Sequence, residues 1–198
     1  MVIWAAGTIA KQIEAEVEEE YVGRGISYCA ICDGSFHEKQ NVVVIGGGNS
    51  AIEEALYLAK ICKKVTIITR GHHFRADPVL MEKVMRANNV DLVTHHVITK
   101  FTGKDLLEQV TAKDRDSDNE IVLNVRGAFI YVGFTPSSTL LENFDILDED
   151  KYIIVDRNCE TKVTGLYAAG DCIQKNIRQI ATAVADGITC ASAIVRKI

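Results

Sequence analysis

The chain has 198 residues, enough for one large domain or two small ones, and its 47% hydrophobic and 25% charged content is an ordinary globular balance that supports a sizeable core. A formal net charge of -5 argues against nucleic acid or another polyanion as the main partner, so any anion site must be local. No apolar run approaches the roughly 18 residues of a membrane span, the opening MVIWAAGTIA lacks the charged start of a signal peptide, and six scattered cysteines do not make a secreted disulfide scaffold. The expectation is a cytoplasmic protein with no membrane and no nucleic-acid partner.

In chain order, the acidic run Glu18-Glu19-Glu20 reads as a solvated face or loop. Cys29 and Cys32 are the one cysteine pair close in sequence; Cys62, Cys159, Cys172 and Cys190 read as small buried hydrophobes. Asn41 to Ile45 is a β-branched run ending at Gly46-Gly47-Gly48, a buried strand followed by a tight turn. From Ala51, the positions Ile52, Ala55, Leu56, Ala59 and Cys62 recur at helical spacing. Val65 to Thr69 is the next strand, and the three pieces make a βαβ unit with a parallel sheet.

Pro78 to Ala87 predicts a helix with proline in its first turn, and Val90 to Phe101 predicts further strands. Leu106 to Lys113 and Glu120 to Val125 flank the polar stretch from Asp114 to Asn119, the pattern of an antiparallel hairpin. Phe129 to Val132 is a buried strand, and Gly133 to Pro136 a turn where the chain leaves the domain. Short strands are expected near Ile153 and at Leu166 to Ala169. A long helix closes the chain, its apolar face running Ile177, Ile180, Ala181, Val184, Ile188, Ala191 and Val195.

Two motifs carry chemistry. Gly46, Gly48 and Ala51, with Asn49 and Ser50 between them, form a G-x-G-x-x-A dinucleotide fingerprint in the required place, after a strand and opening a helix. Gly46 permits the turn, Gly48 lets backbone approach a pyrophosphate, and Ala51 lets helix and strand pack closely while the helix N-terminus faces the anion. At the end of the second strand stands Arg70, with Arg75 five residues on. Guanidiniums there suit a 2′-phosphate and favour NADPH over NADH.

Cys29-Ala30-Ile31-Cys32 puts two sulfurs one helical turn apart, within reach of a disulfide. A helix start also favours the thiolate, and the adjacent Asp33 can pass a proton during exchange. Half a zinc site is the competing reading, but no second Cys or His pair at ligand spacing accompanies it. His72-His73 and His95-His96 read as surface residues, since neighbours at i and i+1 point apart, and no metal is expected.

Together these residues resemble the low-molecular-weight thioredoxin reductases of the pyridine nucleotide-disulfide oxidoreductase family. Val2 to Gly7 is similar to that family's crossing between flavin and NADPH domains, Gly23 to Gly34 to its redox segment, Gly46 to Ala51 to its NADPH turn, and Thr161 to Asp171 to its second flavin motif. The resemblance implies an α/β fold: a Rossmann-like three-layer NADPH-binding domain with a parallel sheet plus an antiparallel β-hairpin layer, and a remnant of an FAD-binding domain at the C-terminus. The implied boundaries are 1–9 for the end of the FAD domain, 10–140 for the NADPH and redox domain, and 141–198 for the remnant.

The implied activity is transfer of electrons from NADPH through FAD to the Cys29–Cys32 pair, and on to thioredoxin or a similar small disulfide protein. By resemblance Cys32 faces the flavin, Cys29 attacks the partner disulfide and Asp33 is the acid/base group. Gly170 and Asp171 meet the flavin's ribitol or phosphate region, and Arg178, Gln179 and Ala181 lie beside its rings. Two departures stand out. The family's second arginine at the 2′-phosphate is Gly71 here, and the family's first G-x-G-x-x-G, which holds the FAD pyrophosphate, is not in the chain. The FAD site is therefore expected to be incomplete and the chain inactive alone. A homodimer fits the resemblance, as do two rival functions: a reductase serving a peroxiredoxin, and a non-catalytic NADPH-binding module.

Overall fold

The computed structural model describes residues 1–13 and 15–197. The chain divides into two compact units, one made of Met1–Lys11 with Gly133–Ile198, the other of Gln12–Val132.

The larger unit is built on strand β4 (Asn41–Ile45), whose four residues Val42 to Ile45 are all buried. Burial of consecutive residues means that both faces of the sheet are covered, the situation of a parallel sheet. The alternation of side chains assigns the faces. Val42 and Val44 pack with Ile52, Ala55 and Leu58 of helix α2 (Asn49–Leu58), while Val43 and Ile45 pack with Phe101, Leu107 and Val110. Each such Val, Ile, Leu or Phe side chain, fully buried, contributes roughly 1.5–3 kcal/mol.

The sheet runs in the order β3 (Ile26–Ser27), β10 (Gly127–Ile130), β4, β5 (Lys64–Ile68), β6 (Val90–Val93), and every neighbouring pair is parallel. One face carries α2 and α3 (Pro78–Met85). The other carries an antiparallel layer of β7 (His96–Gly103), β8 (Leu107–Asp114) and β9 (Glu120–Asn124). These are the three layers expected, with the hairpin where the two alternating runs flank Asp114 to Asn119. β3 stops at Ser27, two residues before Cys29, so the cysteine segment leaves the sheet edge directly.

In the smaller unit β1 (Val2–Trp4) pairs in parallel with β12 (Leu166–Ala168). β2 (Thr8–Ala10) pairs antiparallel with β11 (Phe134–Pro136), so the segment expected to be only a turn is partly a strand. Trp4 donates its indole N–H to the carbonyl of Ser137 at 2.8 Å and packs against a core of Leu141, Ile146, Ile153, Ala168, Cys172 and Ile173. Helix α4 (Ile180–Val195) closes the chain. Among the described residues its apolar stripe is left without a partner: Cys190, with Ala193 and Ile194, packs on Tyr167 and Cys159, whereas Ile180, Val184, Ile188 and Val195 are exposed. The stripe is real, but the smaller, less apolar face beside it is the one that meets this unit's core.

Cys62, Cys159, Cys172 and Cys190 are free and buried, as small hydrophobes. Burial pushes the thiols of Cys62 and Cys159 up to about 11, which leaves them inert near neutrality. Among the described residues no helix is long and apolar enough to cross a membrane.

Candidate functional site

Leaving β3, the chain reaches Cys29 in extended conformation, and Cys29 is the N-cap of the short helix α1 (Ala30–Asp33). One turn brings Cys32 back to it, and the two are joined by a disulfide with Cα atoms 5.3 Å apart. With their sulfurs bonded to each other, the two cysteines present no free thiolates to a zinc ion. Cys29 is half-buried and Cys32 exposed. The backbone N–H of Cys32 lies 3.2 Å from the Cys29 sulfur, a donor already aimed at any charge that develops there.

Ser27 organises this turn. Its hydroxyl donates to Asp33 Oδ2 at 2.6 Å and accepts the N–H of Cys29 at 3.0 Å, so one side chain holds both the carboxylate and the first cysteine. The N–H of the fully buried Ala30 is taken by the phenolic oxygen of Tyr131 at 2.7 Å. Burial, then the charges of Glu54 and Asp33, push the Tyr131 phenol far up, so it stays a neutral hydroxyl. Glu18 overturns its expected solvated role. It is 4% exposed, and its carboxylate accepts the N–H of Ile13 at 3.1 Å and the Tyr28 hydroxyl at 3.3 Å. Burial, followed by Glu18, raises the Tyr28 phenol. Of three consecutive glutamates, the turn at Glu19–Tyr21 directs this one inward.

The glycine turn lies in the same unit. Gly46 has φ +151°, and a Cβ there would meet the Tyr131 carbonyl oxygen at 2.4 Å; at Gly47 a Cβ would meet Thr69 Oγ1 at 2.4 Å. A Cβ at Gly48 meets nothing within 4 Å. Gly48 is the N-cap of α2 with no capping side chain, which leaves open space over the unpaired N–H groups of a helix start, the setting a pyrophosphate requires. Ala51 is buried at 1% beneath the turn and Ser50 is exposed. Asn49 is less free than its motif position suggests: it exchanges two hydrogen bonds with Asp77, at 2.9 and 2.8 Å.

Arg70 and Arg75 are both exposed, and the Arg75 N–H donates to the Gly47 carbonyl at 2.6 Å, which pins the arginine's loop to the glycine turn. A third guanidinium, from Arg115 in the β8–β9 turn, donates to the Arg70 carbonyl at 3.2 Å. Nothing in the spacing of Arg115, forty-five residues on, announces this.

The remaining expected residues lie in the smaller unit. Gly170 (φ +87°) follows β12, and its N–H donates to Asp186 Oδ2 at 3.2 Å. Asp171 Oδ1 lies 3.4 Å from the Lys175 ammonium yet accepts no hydrogen bond, although it is buried. A buried carboxylate oxygen with capacity to spare fits a ligand hydroxyl. Lys175 also pairs with Asp186 at 2.7 Å, a cation that no motif in the sequence marks. Arg178 stacks over the Tyr152 ring at 3.9 Å and donates to the Asp171 carbonyl at 3.3 Å. Gln179 caps α4, and Gln179 and Ala181 are exposed.

A family model described as pyridine nucleotide-disulphide oxidoreductase matches residues 1–187. The chain belongs to that family. Thioredoxin reductase of Bacillus subtilis (strain 168) is 40% identical over 196 residues, covering 98% of this chain and 61% of the relative. The bifunctional thioredoxin reductase/thioredoxin of Mycobacterium leprae (strain TN) is 36% identical over 194 residues, 98% of this chain and 42% of its own length. The crystal structure of thioredoxin reductase from Streptococcus pyogenes MGAS5005 superposes with TM-score 0.90 at 36% identity, covering 98% of this chain and 64% of that one. This chain thus spans less than two thirds of each of these three relatives.

Proposed function

We propose that the chain carries the NADPH-binding and disulfide-exchanging part of a flavoprotein disulfide reductase that reduces thioredoxin or a similar small disulfide protein. The observation that carries this reading is the occurrence, within the single unit Gln12–Val132, of a bridged Cys29–Cys32 pair and a glycine turn with open space at a helix start. The Mycobacterium leprae relative, whose name joins the reductase to thioredoxin, supports the choice of partner.

In this reading the unit Gln12–Val132 is the nucleotide and redox domain, and the smaller unit supplies flavin-binding residues. The backbone at Gly46, Gly48, Asn49, Ser50 and Ala51 holds the NADPH pyrophosphate, with Arg70 and Arg75 on the 2′-phosphate. Gly170, Asp171, Arg178, Gln179 and Ala181 would hold part of FAD, the rest of whose site is expected outside this chain. When bound, NADPH would supply a hydride and FAD would relay its electron pair towards the disulfide.

The chain's own residues then perform exchange. The Cys29 thiolate, steadied by the Cys32 N–H, attacks one sulfur of the partner disulfide; a mixed disulfide forms and one partner thiolate leaves. The Cys32 thiolate attacks Cys29 Sγ, restores the Cys29–Cys32 bond and releases the second partner thiolate. Asp33, held by Ser27, relays the protons that the cysteine thiols lose and the partner thiolates take up. Ile31 and Phe36, 61% and 76% exposed beside the pair, give a partner an apolar footing. The cytoplasm, where dithiols persist, is the proposed setting.

The test isolates the exchange step. The chain is reduced with dithiothreitol, freed of it, and mixed with oxidised thioredoxin. About one disulfide of thioredoxin should be reduced per chain, and Cys29→Ser should abolish the transfer. Failure of the wild-type chain to reduce thioredoxin removes this reading.

A further inference from the structure

Three loops from different parts of the larger unit meet at one corner, and each brings a metal-ligating side chain. His72 follows β5, His95 lies between β6 and β7, and Asp116 lies in the β8–β9 turn. The His72 and His95 rings stack with centroids 3.9 Å apart and 12° between planes, and His95 Nε2 lies 2.8 Å from Asp116 Oδ2. One ligand atom from each of the three falls within 4.8 Å of the others. Adjacency within each histidine pair says nothing of this, because the meeting partners come from different pairs.

The backbone holds the corner in place. The His95 N–H donates to the Gly71 carbonyl at 2.9 Å, and the Arg115 N–H donates to the His95 carbonyl at 3.0 Å, so all three loops are tied to one another. His95 adopts φ +61°, an uncommon conformation for a side-chain-bearing residue that this bracing maintains. The competing carboxylates are occupied elsewhere. Asp114 caps the turn by accepting the N–H groups of Asp116 and Ser117, and Asp118 pairs with Lys113 at 2.6 Å. Asp116 is left facing His95, whose Nδ1 is buried without a hydrogen-bond partner.

We propose that His72, His95 and Asp116 form a binding site for a divalent transition cation, with two imidazole nitrogens and one carboxylate oxygen as ligands and a fourth position open to water. This donor set suits Zn²⁺ and its neighbours, and excludes Mg²⁺ and Ca²⁺ as preferred ions, which take oxygen. His95, whose side chain is only 12% exposed, is the fixed ligand; His72 and Asp116 are exposed and free to close about an ångström onto the ion. A metal lies in the plane of each imidazole that binds it, so loading swings the His72 ring out of its stack on His95. The ion would place positive charge on the loop that carries Arg70. The site shares no residue with the disulfide or the glycine turn and stands independently of the proposed reductase chemistry.

The test is a Zn²⁺ titration by calorimetry of the full chain with Cys29–Cys32 oxidised, without thiols or chelators, so that the redox cysteines cannot ligate. One equivalent should bind and survive desalting. His72→Ala and Asp116→Asn should each weaken binding roughly tenfold or more, and His73→Ala should leave it unchanged. Both key substitutions are at exposed side chains, and circular dichroism will establish that the fold is intact. Absence of saturable Zn²⁺ binding, or binding that neither His72→Ala nor Asp116→Asn weakens, overturns the proposal.

Discussion

The phenolic oxygen of Tyr131 accepts the backbone N–H of Ala30 at 2.7 Å, while the Tyr131 carbonyl oxygen is what forbids a side chain at Gly46. One residue just past the end of β10 therefore braces both the cysteine turn and the glycine turn. Tyr131→Phe removes the acceptor and strands a buried N–H at the start of α1, which should destabilise the chain by about 1–3 kcal/mol. Urea unfolding measures it, and an unchanged midpoint would mean that the bond contributes nothing.

The three turn glycines should separate by role. Gly46→Ala places a Cβ against backbone in a left-handed conformation and should impair folding. Gly48→Ala meets open space at φ -97°, which alanine adopts freely, and should leave the melting temperature near that of wild type while weakening NADPH binding. Equal losses of stability in the two variants would contradict this division.

Ser27 and Asp33 should act in series. Asp33→Asn should slow thiol-disulfide exchange of the reduced chain with thioredoxin by roughly a hundredfold. Ser27→Ala leaves the carboxylate present but unheld and should cost less, with a changed pH profile of the exchange rate. An Ser27→Ala rate and profile identical to wild type would show that the 2.6 Å contact is without consequence.

His37 gives a pH signature. Its half-buried ring packs edge-on against Phe129, 5.4 Å between centroids, and burial lowers its pKa from 6.5. The unfolded chain then takes up the proton more readily than the folded one, so stability from this group is present above about pH 6.5 and is lost as pH falls through the lowered folded value. Urea midpoints should drop between pH 7 and pH 5, and His37→Gln should lose part of that drop. A wild-type slope in the variant would assign the pH dependence to other groups.

The βαβ core was legible because Val42 to Ile45, the three glycines and the spacing of Ile52, Ala55 and Leu58 all agree on one local arrangement. The β8–β9 hairpin was legible for the same reason, with alternation on both sides of a polar turn. What escaped depended on distant residues meeting. Ser27 with Asp33 is a short step, yet a serine ahead of a cysteine motif carries no pattern. Tyr131 reaches Ala30 across a hundred residues, and His72 reaches His95 only because β6 lies beside β5. The stripe of α4 was correctly periodic, but periodicity marks an apolar face without saying what covers it. Glu18 was misread because a run of like charges averages over residues that a single turn points in different directions.

The most direct measurement is a fluorescence titration of the purified, oxidised chain with NADPH and with NADH, repeated on Gly48→Ala and Arg70→Ala. Saturable binding of one NADPH, about tenfold or more tighter than NADH, is the predicted result. The preference should fall in Arg70→Ala and both nucleotides should weaken in Gly48→Ala. No nucleotide binding by the folded wild-type chain, or binding that ignores both substitutions, would contradict the account of the glycine turn and with it the proposed reductase.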